Sequence, residues 1–343
     1  MADSVGEREQ HALIHAGLAR SAEREGRAAD ALASYDAALH ELADSDEREL
    51  VATIMRRKGN VHLHRGETAE AERLYRESLR LCESSACISG IASAYNCLAS
   101  VAQRHGDLAE AEHLYRRAAQ AADAAGETRL TGMVQQNLAI LASMRGDWDA
   151  ARCAYEQSLA AFDAIGDEEA SSWVITNLGR LHADRGDLRQ AEECFERART
   201  IASARGDTLI EGVAEQNRAE LLIAAGRFDE AAEACARALS LASRRGDRLR
   251  RAETLKLRAR IERERRDYDA AIATIAEACE LAAAVEDKIL EAELLCEAGT
   301  LWQLRGERSV AGAVWSEALA TFTKAGARHA ASETEARITG NDA

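Results

Sequence analysis

An alanine stands at positions 31, 71, 111, 151, 191, 231, 271 and 311, one every 40 residues from end to end. A step that regular requires a chain built from eight copies of one unit, each too small to bury its own apolar face and so stacked on its neighbours. Other columns keep the same step. Glycine precedes the alanine by five at Gly26, Gly66, Gly106, Gly146, Gly186, Gly226 and Gly306, and Arg266 alone breaks that column. Four residues after the alanine come Tyr35, Tyr75, Tyr115, Tyr155, Phe195, Cys235, Ile275 and Trp315. Twelve before it the residue is always Ala or Gly: Ala19, Gly59, Ala99, Ala139, Gly179, Ala219, Ala259 and Gly299.

The absence of proline from all 343 residues leaves nothing to interrupt helices, so the fold class is all-α. Hydrophobic residues make up 47% of the chain and aromatics only 4%, which points to a core of alanine and leucine that lets helices approach closely. No stretch offers the roughly 18 apolar residues of a membrane span, and the opening MADSVGEREQ has neither an apolar core nor a basic run. No membrane association is expected, and the cytoplasm is the expected compartment. Eight cysteines without a CxxC pair read as small core residues in a reducing compartment; Cys235, for example, shares the column of Tyr155 and Phe195. His62 and His64, two apart on a helix, point to different faces, so no metal site and no cofactor are expected.

One unit, residues 167 to 206, reads as two helices. The first carries Val174, Leu178, Leu181 and His182 on one stripe and ends near Gly186, where a left-handed residue satisfies the last carbonyls. Asp187 is placed to cap the second helix, with Gln190 completing a capping box; Ala191, Phe195, Ala198 and Ile201 then align before Gly206. The unit boundaries follow as 7–46, 47–86, 87–126, 127–166, 167–206, 207–246, 247–286 and 287–326, with a short capping helix and frayed tail over 327–343.

The small residue in the first helix, the glycine at its end, the alanine early in the second, the aromatic four later and the Ala or Ser three beyond that resemble the tetratricopeptide repeat family. The likeness covers roughly positions 7 to 326. The 40-residue step, with Gly-Asp at 166–167, 206–207 and 246–247 in place of a closing proline, is similar to the long-helix variety of kinesin light chains and Rap-type bacterial proteins. The resemblance implies a right-handed α-solenoid whose first helices line a groove.

Positions left over once the packing columns are assigned are the candidates for contact with a partner. They comprise Met133, Gln136, Asn137, Ile140 and Met144 in the fourth unit; Trp173, Thr176, Asn177, Arg180 and Asp184 in the fifth; and Val213, Gln216, Asn217 and Glu220 in the sixth. Asn137, Asn177 and Asn217 repeat at the period, flanked by Gln136, Thr176 and Gln216. An amide offers a donor and an acceptor together and so pairs with an extended backbone of any sequence. The family resemblance likewise implies that these asparagines hold a ligand's backbone. The other reading has them bond to a neighbouring first helix and set its stacking. Trp173, Met133, Ile140 and Val213 form a candidate apolar pocket, with Trp173 as anchor. Cations flank the series: Arg56, Arg57 and Arg104 with Asn60 on one side, Lys256, Arg260 and Arg263 on the other. They are similar in kind to the carboxylate clamp of some family members, whose residue order is not reproduced, and a solvated helix with interleaved glutamates is the favoured reading of residues 244–266.

A net charge of −15 argues against nucleic acid, whose binding demands a basic footprint. No nucleophile elbow, phosphate loop or HExxH motif is present, so an enzyme is not expected. Some Rap-type proteins carry a helical bundle ahead of their repeats; here the repeats begin within the first dozen residues, so none is expected. The expected function is a monomeric scaffold that binds a protein or extended peptide, with an acidic or C-terminal segment suiting the cations. A ligand-sensing regulator that changes shape on binding and a self-assembling structural protein are the alternatives.

Overall fold

The structure, a computed structural model, describes residues 2–24, 26–43, 45–285, 287–325 and 327–341, and over these it is helix and turn with no strand. The chain divides into two compact units, residues 1–174 and 175–343.

Unit 1 holds α1 (Ala2–Arg24), α2 (Ala28–Glu41), α3 (Arg48–His64), α4 (Thr68–Ser84), α5 (Ile88–Arg104), α6 (Leu108–Ala125), α7 (Thr128–Met144) and α8 (Trp148–Ala164). Helix α9 (Glu168–Asp184) gives its first turns to unit 1 and the remainder to unit 2. Unit 2 continues with α10 (Leu188–Arg205), α11 (Thr208–Ala224), α12 (Phe228–Arg245), α13 (Arg248–Glu264), α14 (Tyr268–Ala284), α15 (Lys288–Leu304), α16 (Arg308–Ala325) and α17 (Arg328–Asn341). Within each unit, consecutive helices pack as hairpins that stack on one another. The expected C-terminal cap is α17, packed on α16; residues 342 and 343 of the expected frayed tail lie outside the described residues.

The hairpins follow from the columns. Every alanine of the 40-residue series is fully buried, so a larger side chain there would push the paired helices apart. The small residue twelve before it clears the ring four after it. A Cβ built on Gly59 would lie 2.5 Å from the Tyr75 ring, one on Gly179 2.6 Å from Phe195, and one on Gly299 2.4 Å from Trp315. Three residues past the ring, Ser78 and Ser158 replace alanine, and their buried hydroxyls donate to the carbonyls of Ala52 and Gly132 at 2.8 and 2.7 Å. A polar atom in the core is thereby satisfied.

Turns obey an equally local grammar. Gly106, at φ +81°, donates its N–H to Gln103 O at 3.0 Å, while Asp107 N–H reaches back to Ala102 O, also at 3.0 Å. The Asp107 carboxylate then accepts the N–H of Glu110 at 3.0 Å and opens the next helix. Asp147, Asp207, Asp247, Asp267 and Asp287 cap in the same way. Asp187, expected to cap α10, does not. Its carboxylate turns toward His182 Nδ1 at 3.8 Å and Arg185 Nε at 3.7 Å, because polar groups on the preceding turn, the Arg185 cation among them, compete for it. Glu67 stands at the equivalent place three units earlier in the same relation, bonded to His62 Nδ1 at 2.5 Å. Arg266, the break in the glycine column, keeps the left-handed backbone at φ +62°, as does Ala86 at +54° in the Gly126 column.

The cysteines depart from the expectation of uniform burial. All eight are free thiols; Cys82 and Cys235 are buried, five are half-buried and Cys153 is exposed.

Candidate functional site

In unit 1 a groove of about 690 Å³ is lined mainly by side chains of α3, α5 and α7. The helical spacing of three and four that separates Thr53, Arg56, Arg57 and Asn60 places them on adjoining faces of α3. Ser93, Asn96, Cys97 and Ser100 do the same on α5, and Met133 closes the far wall from α7. Neighbouring bonds orient the two asparagines. Asn60 Oδ1 accepts the Tyr75 hydroxyl at 2.7 Å, and Asn96 Oδ1 accepts Asn137 Nδ2 at 2.9 Å. Arg56 Nη1 is buried without a hydrogen-bond partner among the described residues. Burial pushes the Cys97 thiol up to about 11 and raises that of Cys82, so these two of the groove's thiols are neutral at pH 7.

The structure distributes the candidate residues between the units. Gln136, Asn137 and Trp173 lie in unit 1, all half-buried. Asn137 spends its amide N–H on Asn96, one repeat back, which is the stacking role. In unit 2, Thr176 is only 2% exposed, so its hydroxyl is withdrawn from the surface. Asn177 and Asn217 are half-buried, with no side-chain hydrogen bond among the described residues. Arg180 is exposed. Gln216 donates to Glu253 at 3.3 Å, Lys256 pairs with Glu293 at 2.6 Å, and Arg260 approaches Glu220 at 3.9 Å. Val213, a candidate for the apolar pocket, is 7% exposed and belongs to the core, whereas Met133 is 43% exposed.

Lys256, Arg260 and Arg337 line a second groove in unit 2, of about 290 Å³, together with Glu220, Glu293, Glu297 and Glu333. Its cations are therefore matched by carboxylates along its own walls. A third hollow in unit 2, of about 430 Å³, gathers Arg199, Arg218 and Arg237 around Glu215, which is 1% exposed and bonded to Arg237 at 2.7 Å. Glu192, Glu196 and Glu233 share that hollow, so it too is compensated from within.

Sequence reasoning passed over Thr53, Ser93 and Asn96. The signal was present: Arg56, Asn96 and Gln136 share one 40-residue column, and Thr53, Ser93 and Met133 another. Among the described residues no group of three His, Cys, Asp or Glu side chains is arranged to hold a metal ion, and no helix is long and apolar enough to cross a membrane.

Family models described as tetratricopeptide repeat match residues 16–86, 90–164, 173–203 and 210–284, together most of the chain. No curated protein matches the sequence. Among solved structures, a Signal Transduction ATPase with Numerous Domains protein with a tetratricopeptide repeat sensor, from Pyrococcus horikoshii, is similar over 92% of this chain and 48% of its own, with 14% identity and a TM-score of 0.70. The chain thus spans about half the length of that protein. The apo quorum sensor NprR from B. thuringiensis is similar over 91% of this chain and 87% of its own, with 12% identity and a TM-score of 0.67. A Rap protein complexed with Competence and Sporulation Factor is similar over 97% and 98%, with 12% identity and a TM-score of 0.61. At these identities the likeness is one of fold, the all-α helical repeat solenoid.

Proposed function

We propose that this chain, which belongs to the tetratricopeptide repeat family, is a non-catalytic scaffold that captures a segment of a partner protein along its first helices. The observation that carries the reading is the unit 1 groove, where α3, α5 and α7 present hydrogen-bonding groups that internal bonds do not use up. Buried or half-buried polar groups left over in this way favour a ligand that supplies their partners. In unit 2, Asn177 and Asn217 retain both amide functions, which suits them to an extended backbone; Trp173 and Arg180 are proposed contacts on α9. Gln136 is a further proposed contact, and Asn137, Gln216, Lys256 and Arg260 contribute after exchanging a present partner for the ligand, which lowers their net worth to roughly 0.5–1.5 kcal/mol each. A monomer in the cytoplasm is the proposed state, the compartment being one in which free thiols persist.

A sensing role for the same groove draws support from two structures of like fold, one of a quorum sensor and one of a Rap protein in complex with Competence and Sporulation Factor. In that reading the captured segment is itself the signal.

The test is co-purification from the native cell, comparing the wild type with Ser93→Glu, which places bulk and charge in the unit 1 groove, and with Asn177→Ala plus Asn217→Ala. Partners lost from these variants, at unchanged helical content and melting temperature, are the expected result. Identical partner sets for all three proteins would remove the groove reading.

A further inference from the structure

We infer that the unit 1 groove takes a phosphoryl group displayed by the captured segment, with Arg56, Asn60 and Asn96 as its ligands. The inference rests on the groove reading above and adds the chemistry of what is held there. Its ground is an imbalance of donors over acceptors. Asn60 has its amide oxygen occupied by the Tyr75 hydroxyl at 2.7 Å and additionally approached by Cys97 Sγ at 3.8 Å, which leaves Nδ2 as the function it offers. Asn96 has its oxygen occupied by Asn137 Nδ2 at 2.9 Å, and again Nδ2 remains. Arg56 has donors only, and its buried Nη1 meets no partner among the described residues. All three residues line one groove, and Thr53 and Ser93 add hydroxyls within a turn of Arg56 and Asn96.

A peptide carbonyl supplies one neutral acceptor and would leave the guanidinium uncompensated. A phosphoryl group brings three acceptor oxygens and about −1.5 to −2 charges at pH 7, matching one cation and a set of amide and hydroxyl donors. Nothing nearby pre-empts the site. Glu49, the carboxylate of α3 in this groove, stands seven residues before Arg56, about 10 Å along the helix axis. Glu127 comes from the start of α7, and no ion pair joins either glutamate to Arg56 among the described residues. Arg237 and Arg263 of unit 2 differ in kind, since they already meet carboxylates at 2.7 and 2.9 Å.

Calorimetric titration of the full chain with inorganic phosphate and, separately, acetate, at constant ionic strength held with chloride, tests the assignment. Phosphate is expected to bind at least about tenfold more tightly than acetate, with Arg56→Gln losing about tenfold or more, as removal of a charge-assisted bond predicts. Asn96→Ala is expected to lose several-fold, and Arg56→Lys to retain part of the affinity, so a folding defect in one variant is recognisable against the others. Equal binding of acetate and phosphate, or unchanged phosphate binding by Arg56→Gln, overturns the proposal. Phosphatase treatment of the lysate before co-purification separates this idea from the groove reading. Capture that is lost in Ser93→Glu but survives phosphatase keeps the groove and rejects the phosphoryl group. Capture unaffected by Ser93→Glu rejects the groove itself.

Discussion

Gly59 and Arg266 show how far a single side chain is constrained by the repeat. At Gly59 a Cβ would intrude to 2.5 Å from the Tyr75 ring, which is itself fully buried and cannot swing away. Gly59→Ala is therefore expected to destabilise the protein by about 1–3 kcal/mol, the usual cost of overpacking, although alanine is the residue at the equivalent Ala99 and Ala139. Arg266 is the opposite case: an exposed side chain on a backbone held at φ +62°. Arg266→Gly should stabilise by about 1 kcal/mol, since the left-handed strain exceeds the entropy that glycine adds to the unfolded chain. Urea denaturation of both variants checks the pair of signs; a stabilised Gly59→Ala or a destabilised Arg266→Gly contradicts the packing described. Thiol labelling gives a third residue-level outcome. Cys153 is exposed while Cys82 and Cys235 are buried, so a bulky disulfide reagent should modify Cys153 first and the buried pair only after unfolding.

Helix ends carry their own test. Asp207 accepts the N–H groups of Leu209 and Ile210, both at 3.1 Å, whereas Asp187 makes no such bond. Asp207→Ala should cost about 1 kcal/mol and Asp187→Ala clearly less, read as the difference in urea midpoints. In the sequence each simply follows a glycine, as Gly186-Asp187 and Gly206-Asp207, which does not separate them, because the distinction lies with His182 and Arg185 on the preceding turn. That contrast marks what was legible. Helix limits, the buried alanine column and the clearance between Gly179 and Phe195 all repeat with the period, and each depends on residues within one hairpin. The candidate surface depends on neighbours a whole repeat away. Asn96 bonds Asn137 across 41 positions and Lys256 meets Glu293 across 37. A column reveals that such residues share a face; it does not reveal which amides and cations already hold one another. Hence Asn137, Asn177 and Asn217 read as one ladder, while the structure gives the first a stacking bond and leaves the other two without one.

At the scale of the whole molecule, acids raised by full or partial burial set a limit on alkaline stability. Burial pushes Cys97 up to about 11, Cys279 to about 11 and Cys235 to about 12, and lifts Tyr75 well beyond the ordinary tyrosine range. An unfolded cysteine ionises near 8.5. The folded values lie above the unfolded ones, so the stability these thiols contribute is complete below about pH 8.5 and declines as the pH rises toward the folded values, where the unfolded chain has already released its protons. The thiols occupy both units, Cys97 in the first and Cys235 and Cys279 in the second, so neither unit escapes the effect. The melting temperature should therefore be nearly level from pH 7 to 8.5 and fall between about pH 9 and 11. Cys235→Ala, which keeps a small apolar residue in its column while removing the ionisable group, should flatten part of that fall even though it lowers the temperature at pH 7. A level profile through pH 11, or a slope unchanged in Cys235→Ala, would show that these thiols ionise in the folded chain as freely as in water, and the burial assigned to them would be wrong.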